Sequence, residues 1–335
     1  MTTVAAVENT RQLEELLLGM WRIRAFETRA LQLFDEKLVR GSVHPYIGME
    51  AIAVGVCSAL EPQDFITSTH RGHGHCIGKG LELSRMMAEI LGRETGYCRG
   101  KGGSMHITAM EHGMLGADGI VGGSSALGVG AAYGLRLQGK DGVVVVFFGD
   151  GASNQGLFHE SANLAAVLSA PVVFVCENNQ WALSTAVQSS TSVENIADRA
   201  IGYGFPGVVA DGNDVLEMRR VAVDAVARAR AGDGPTLIEA KSFRIGPHSA
   251  ATKTDLRGED VLGPWREKDP ILRFTRSLLA DAGLTQARID EIEAQARAEV
   301  EEAAQFAIDS PRPDPGDALV DVYAPAPWNV AGRLS

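Results

Sequence analysis

The sequence predicts an α/β protein built on an open, mainly parallel sheet with helices on both faces. Three observations carry that expectation. GVVVVFFGD (142–150) is a short β-branched and aromatic run, ANLAAVLS (162–169) has helical composition, and PVVFVCEN (171–178) is a second apolar strand. Strand, helix, strand in that order suits a parallel crossover, whose doubly covered strands read as continuous apolar runs. A further apolar strand is expected in PTLIEAKSFR (235–244), after an Ala/Arg-rich helix over Val215–Arg230. Finally, 335 residues at 45% hydrophobic and 22% charged suffice for a large core.

The remaining elements follow from apolar spacing. RQLEELLLGMWRIRAFETRALQLFDEKL (11–38) repeats apolar residues three or four apart and reads as one long helix or a kinked pair. Ala51–Leu60 and Leu81–Leu91 suggest two shorter helices, and the small residues of Ser124–Leu137 suggest a closely packed one. QARIDEIEAQARAEVEEAAQFAI fits an amphipathic helix, and the prolines of DSPRPDPGDALVDVYAPAPW forbid its simple continuation. No repeat divides the chain, so residues 1–335 read as one domain with N-terminal helical and C-terminal extensions.

Composition excludes some functions. A formal charge of −11 argues against nonspecific nucleic-acid binding, while leaving room for a local basic pocket. No apolar run reaches the ~18 residues of a membrane helix. MTTVAAVENTRQ has neither a basic start nor a long apolar stretch, so cytoplasm is the expected location. Cys57, Cys76, Cys98 and Cys176 are widely spaced, against a disulfide scaffold.

The site signals sit at the ends of the apolar runs. Gly149-Asp150-Gly151 places a carboxylate at a sharp strand exit, where it can bind a hard cation such as Mg2+. The helix that follows offers unsatisfied N–H groups to an anion. Across the crossover, Asn178-Asn179 adds a neutral carbonyl ligand; an Asp cap and an Asn turn would use the same residues. In STHRGHGHCIGKG, Arg71 suits phosphate, and His70, His73 and His75 suit charge stabilisation or proton movement, with a zinc site on these histidines and Cys76 as the weaker alternative. His44, His106 and His248 are further pocket candidates. Other motifs fail: Asn154 stands where a G-x-G-x-x-G from Gly149 needs glycine, Asp141 where a Walker loop needs Ser or Thr, and Asn163 where a zincin needs its second histidine. No Ser-His-Asp triad is visible.

Together HPYIGMEA, STHRGHGH, RGKGGSMHI, GADGIVGG, GDGASNQGLFHESANLAA and CENNQWALST resemble the alpha subunits of thiamin-diphosphate-dependent 2-oxoacid dehydrogenases, the acetoin and pyruvate branches above all. YGFPG, DGNDV and GPTLIEA extend the resemblance over nearly the whole chain. It implies the thiamin-diphosphate-binding fold, with Mg2+ held by Asp150, Asn179 and the Trp181 carbonyl. It places Gly151 and Ala152 at the diphosphate, His44 and Arg71 at phosphate or facing the active site, and Gly119 and Val121 at the aminopyrimidine. His248 resembles a mobile-loop histidine that helps acyl transfer, and His70 takes a place often held by a different polar ring. Thr252-Lys253 replaces a usual acidic pair, Leu256 a usual tyrosine and Met49 a usual glutamine, while Arg257 and Glu50 are retained.

The resemblance implies cleavage of acetoin to acetaldehyde, with the two-carbon fragment passing to lipoamide. Decarboxylation of pyruvate or of a branched-chain 2-oxoacid is the alternative, and a noncatalytic cofactor-binding assembly subunit a further one. It also implies an E1 beta subunit supplying the carboxylate that activates the cofactor, in an alpha2-beta2 heterotetramer, and a lipoyl-bearing E2 acyltransferase.

Overall fold

The computed structural model describes residues 9–252 and 257–320. The chain opens with α1 (Thr10–Asp35), α2 (Glu50–Cys57), β1 (Phe65–Thr69), α3 (His73–Gly78), α4 (Leu83–Ile90), β2 (Met114–Asp118) and α5 (Gly123–Leu137). There follow β3 (Val144–Gly149), α6 (Gly156–Val167), β4 (Val172–Asn178) and a small hairpin, β5 (Trp181–Ala182) and β6 (Thr185–Ala186). The last part holds α7 (Ala200–Tyr203), β7 (Gly207–Asp211), α8 (Val215–Arg230), β8 (Thr236–Lys241), α9 (Glu259–Arg266), α10 (Pro270–Asp281) and α11 (Gln286–Asp309).

Six strands form one sheet in the order β2-β1-β3-β4-β8-β7, every neighbouring pair parallel. This is the expected open sheet with helices on both faces. The chain steps outward from β1 to β2, then returns past β1 to start β3 and β4 in the other direction. The reversal opens a crevice at the carboxyl ends of β1 and β3, where open α/β sheets bind ligands.

The apolar run of β3 divides by the two-residue period of a strand. Val145 and Phe147 join the core under α1, α2 and α8. Val144, Val146 and Phe148 join a second core with Phe158, Phe174 and Phe205 on the other face. Helix α5 lies tight on this second face because Gly128 has no side chain: a Cβ there would meet Val146 Cγ2 at 2.2 Å.

Helix α1 runs unbroken for 26 residues, so the kinked alternative falls away. Asn9 and Gln12 close a reciprocal capping box at its start, and α11 packs along it. Strands β1, β2 and β7 were not expected. Phe65–Thr69 and Met114–Asp118 end in polar or small residues that face the crevice, and they lack the apolar run that marks a doubly covered strand. No helix among the described residues is long and apolar enough to cross a membrane.

Candidate active site

A cleft of about 450 Å³ opens at the carboxyl ends of β1, β2, β3 and β4. Its walls include His44, His70, Arg71, Gly119, Val121, Asp150, Gly151, Ala152, Asn179, Trp181 and His248, every residue to which the family resemblance assigned a site role. They come from loops far apart in the chain, and the topological reversal brings them together.

Asp150 follows β3 directly and is buried at 4% exposure. Its Oδ2 atom has no hydrogen-bond partner among the described residues. Burial raises its pKa to about 6, against partial relief from backbone N–H groups and Arg244. A buried carboxylate left this way is costly unless a cation completes it.

Asn179, two residues from the hairpin, is oriented by Met49, whose sulfur lies 3.5 Å from Asn179 Nδ2. That contact turns Oδ1 the other way, where it accepts a 3.3 Å bond from Trp181 N–H. Asn178 is used differently: Nδ2 donates to buried Glu239 at 2.7 Å, so the first asparagine of the pair is structural. Gly151 is a glycine because the hairpin presses against it; a Cβ would meet Ala182 Cβ at 2.6 Å. The fit to a bound Mg2+ diphosphate is therefore chemical: an orphaned carboxylate oxygen, an amide carbonyl in the same cleft wall, and backbone bared by glycine.

Another part of the cleft lining gathers three imidazoles beside buried Arg71. His44, His70 and His248 stand with ring centroids 4.8, 5.0 and 5.6 Å apart, and one nitrogen from each lies within 4.8 Å of the others. Burial first, and the neighbouring positive groups second, lower their pKa values to about 3, 4 and 4. The three rings are thus neutral at pH 7. That spacing would suit a metal, but Arg71 and Arg244 act on His70 and His248 and favour an anion. Arg71 is buried and its pKa falls to about 10; its Nη1 donates to Pro45 O at 2.6 Å and Nη2 to His248 O at 3.0 Å. It braces the His248 loop as well as lining the cleft.

Other expectations are corrected. His73 and His75 do not line the cleft; they lie beneath it, in α3. His73 sits between Glu27 and Ser104 at 3.0 Å each, and His75 between Ser68 at 2.7 Å and Glu177 at 3.0 Å. Cys76 is buried and His106 exposed, so the zinc grouping of His70, His73, His75 and Cys76 does not form. The sequence reading missed Glu177, Asp118, Met105 and Leu183 in the cleft wall. Glu177 stands immediately before the asparagine pair, and its position at the end of an apolar strand was the available signal. Thr252 bonds within its own turn to Ser249, whereas Lys253 and Leu256 lie outside the described residues.

A family profile described as Dehydrogenase E1 component matches residues 18–316. This chain belongs to the dehydrogenase E1 component family. It is similar to the alpha subunit of acetoin:2,6-dichlorophenolindophenol oxidoreductase of Bacillus subtilis, at 46% identity over 92% of this chain and 94% of that one. The protein of the same name from Cupriavidus necator is 44% identical over 92% and 95%. The pyruvate dehydrogenase E1 component subunit alpha of Porphyra purpurea is 38% identical over 90% and 88%. As a thiamin-diphosphate-dependent E1 alpha subunit, the chain is a catalytic dehydrogenase subunit, which sets aside the assembly-only reading.

Proposed function

We propose that this E1 alpha subunit cleaves acetoin, releasing acetaldehyde and sending the two-carbon fragment toward lipoamide. The observation that carries the site assignment is the buried, partnerless Oδ2 of Asp150 at the crevice. The acetoin branch is supported by the relatives' identities, 46% and 44% for the two acetoin proteins against 38% for the pyruvate one. Thiamin diphosphate supplies the electron sink for carbon–carbon bond cleavage. The chain's own residues bind and orient. Asp150, Asn179 and the Trp181 carbonyl hold Mg2+, while Gly151 and Ala152 offer backbone N–H groups to the diphosphate. Gly119 and Val121 present backbone to the aminopyrimidine. His44, His70 and Arg71 give the cleft a wall suited to negative charge, and His248 assists acyl transfer.

A beta partner completes the site in an alpha2-beta2 heterotetramer, and a lipoyl-bearing E2 accepts the product. Exposed Leu127 and Leu137 on α5, Leu164 and Val167 on α6 and Ile201 on α7 support a partner chain on that face. Cytoplasm is our proposed location, supported by four unpaired cysteines.

The test is dye reduction by this chain coexpressed with its beta subunit, supplied with thiamin diphosphate and Mg2+. Acetoin-selective reduction with acetaldehyde formation is the expected result. Pyruvate-selective reduction with CO2 release would move the assignment to pyruvate dehydrogenase, and a response to branched-chain 2-oxoacids alone to that branch.

A further inference from the structure

The loop after β8 carries an arrangement that decides the state of its histidine. Arg244 Nη1 lies 3.0 Å from His248 Nδ1. A guanidinium only donates hydrogen bonds, so Nδ1 must be the accepting nitrogen and the hydrogen of the neutral ring sits on Nε2. Arg244 is itself fixed. It is buried, its Nη2 donates to Leu183 O at 2.9 Å, and its own carbonyl accepts from Arg257 Nη1. Arg257 Nη2 ties the next turn through Gly246 O at 2.6 Å, and Ala250 N–H bonds to Val43 O at 2.8 Å. The ring is held from its carbonyl too, by Arg71.

We propose that Arg244 is a positioning residue that keeps His248 neutral with its hydrogen on Nε2, making it a hydrogen-bond donor to negative charge in the cleft rather than an imidazolium acid. Protonating the ring would set an Nδ1–H against the Arg244 N–H group, two donors with no acceptor between them. Among the described residues, the groups around it offer no compensation. His44 and His70 face it as neutral rings, and Arg71 and Arg244 are cations. Among the described residues, carboxylates pair with His73 and His75, and His248 has none. Nor can a ring whose Nδ1 accepts from Arg244 lose its Nε2 hydrogen, because that would leave an imidazolate. His248 therefore stabilises developing charge without changing its own proton count, and a neutral imidazole is known to serve in this way.

The inference rests on the reading that His248 serves acyl transfer, and the experiment separates the two. In the assembled enzyme with thiamin diphosphate and Mg2+, the rate with free lipoamide is divided by the rate with dichlorophenolindophenol, from pH 5.5 to 8. For the unaltered enzyme the ratio is expected to be flat. In Arg244→Met it should fall by about 10²-fold, the scale of one preorganised donor, and acquire a pH dependence as the released ring titrates. Arg244→Lys, which still donates, should recover most of the ratio. A ratio in the unaltered enzyme that falls as pH rises through 6 to 7 would reveal an imidazolium acid and overturn the proposal. So would an Arg244→Met ratio that matches the unaltered enzyme while His248→Gln loses its own. If His248→Gln keeps the full ratio, the underlying reading of His248 fails and takes the inference with it.

Discussion

The stretch HRGHGH sends its histidines to two different environments. His70 enters the cleft, where its neighbours are two other histidines and a buried arginine. His73 and His75 turn into the protein below, and each meets a buried carboxylate. In the lower region, polar atoms are matched: Glu27 also accepts from Tyr46 N–H, and Glu177 from the Tyr46 hydroxyl. In the upper region they are not, as Asp150 Oδ2 and His44 Nδ1 show. The same residue types thus build scaffold where acid and base close on each other, and a site where a partner has yet to arrive. The sequence spacing alone does not separate these fates; the turn from β1 into α3 does.

The lower region should break most severely. Glu27→Ala would strand His73 and the Tyr46 N–H, at a cost of about 1–3 kcal/mol for each buried group left without its partner. Urea unfolding of the chain measures this, and a loss under 1 kcal/mol would contradict a scaffold role. Asp150→Asn should behave in the opposite way. It removes an unpaired buried charge, so the cofactor-free chain is expected to gain about 1 kcal/mol or more. Mg2+-dependent retention of thiamin diphosphate should nevertheless drop by about 10²-fold or more, read by equilibrium binding to the assembled enzyme. Unchanged retention would remove Asp150 from the metal set.

A third comparison concerns acid. Folding lowers the pKa values of His44, His70 and His248 from 6.5 to about 3, 4 and 4, so the unfolded chain takes up protons first as pH falls. Their contribution to stability is complete above about pH 6.5 and is lost as pH falls toward 4 and, for His44, 3. Melting temperature against pH should therefore decline more shallowly over that window in a triple variant with Asn at positions 44, 70 and 248. Parallel curves would show that the cleft rings titrate normally.

How much was legible follows from burial. Strands β3, β4 and β8 announce themselves because covered faces on both sides demand continuous apolar residues. The long helices announce themselves through spacing, since each hides one stripe. Strand β1 is hidden because Thr67 and Ser68 are buried yet polar, satisfied by Ser124 O and His75, bonds that no local pattern reveals. Asp150 and Asn179 were readable because each ends an apolar run. The assembly of His44, His70 and His248 was not, because three separate loops meet only after the sheet reverses. The tautomer of His248 was further out of reach, as it depends on one arginine's aim.

The strand order also constrains how the protein is made. Strand β8 lies between β4 and β7, yet it is the last of the sheet strands to leave the ribosome. Until Thr236–Lys241 emerges, the apolar edge of Val172–Asn178 has no neighbour on that side, and β7 has nothing to pair with. At about 5–20 residues per second this exposure lasts roughly 3–12 s. An open apolar edge is a template for the wrong chain, so the interval makes the nascent subunit a natural client for chaperones before any cofactor can bind.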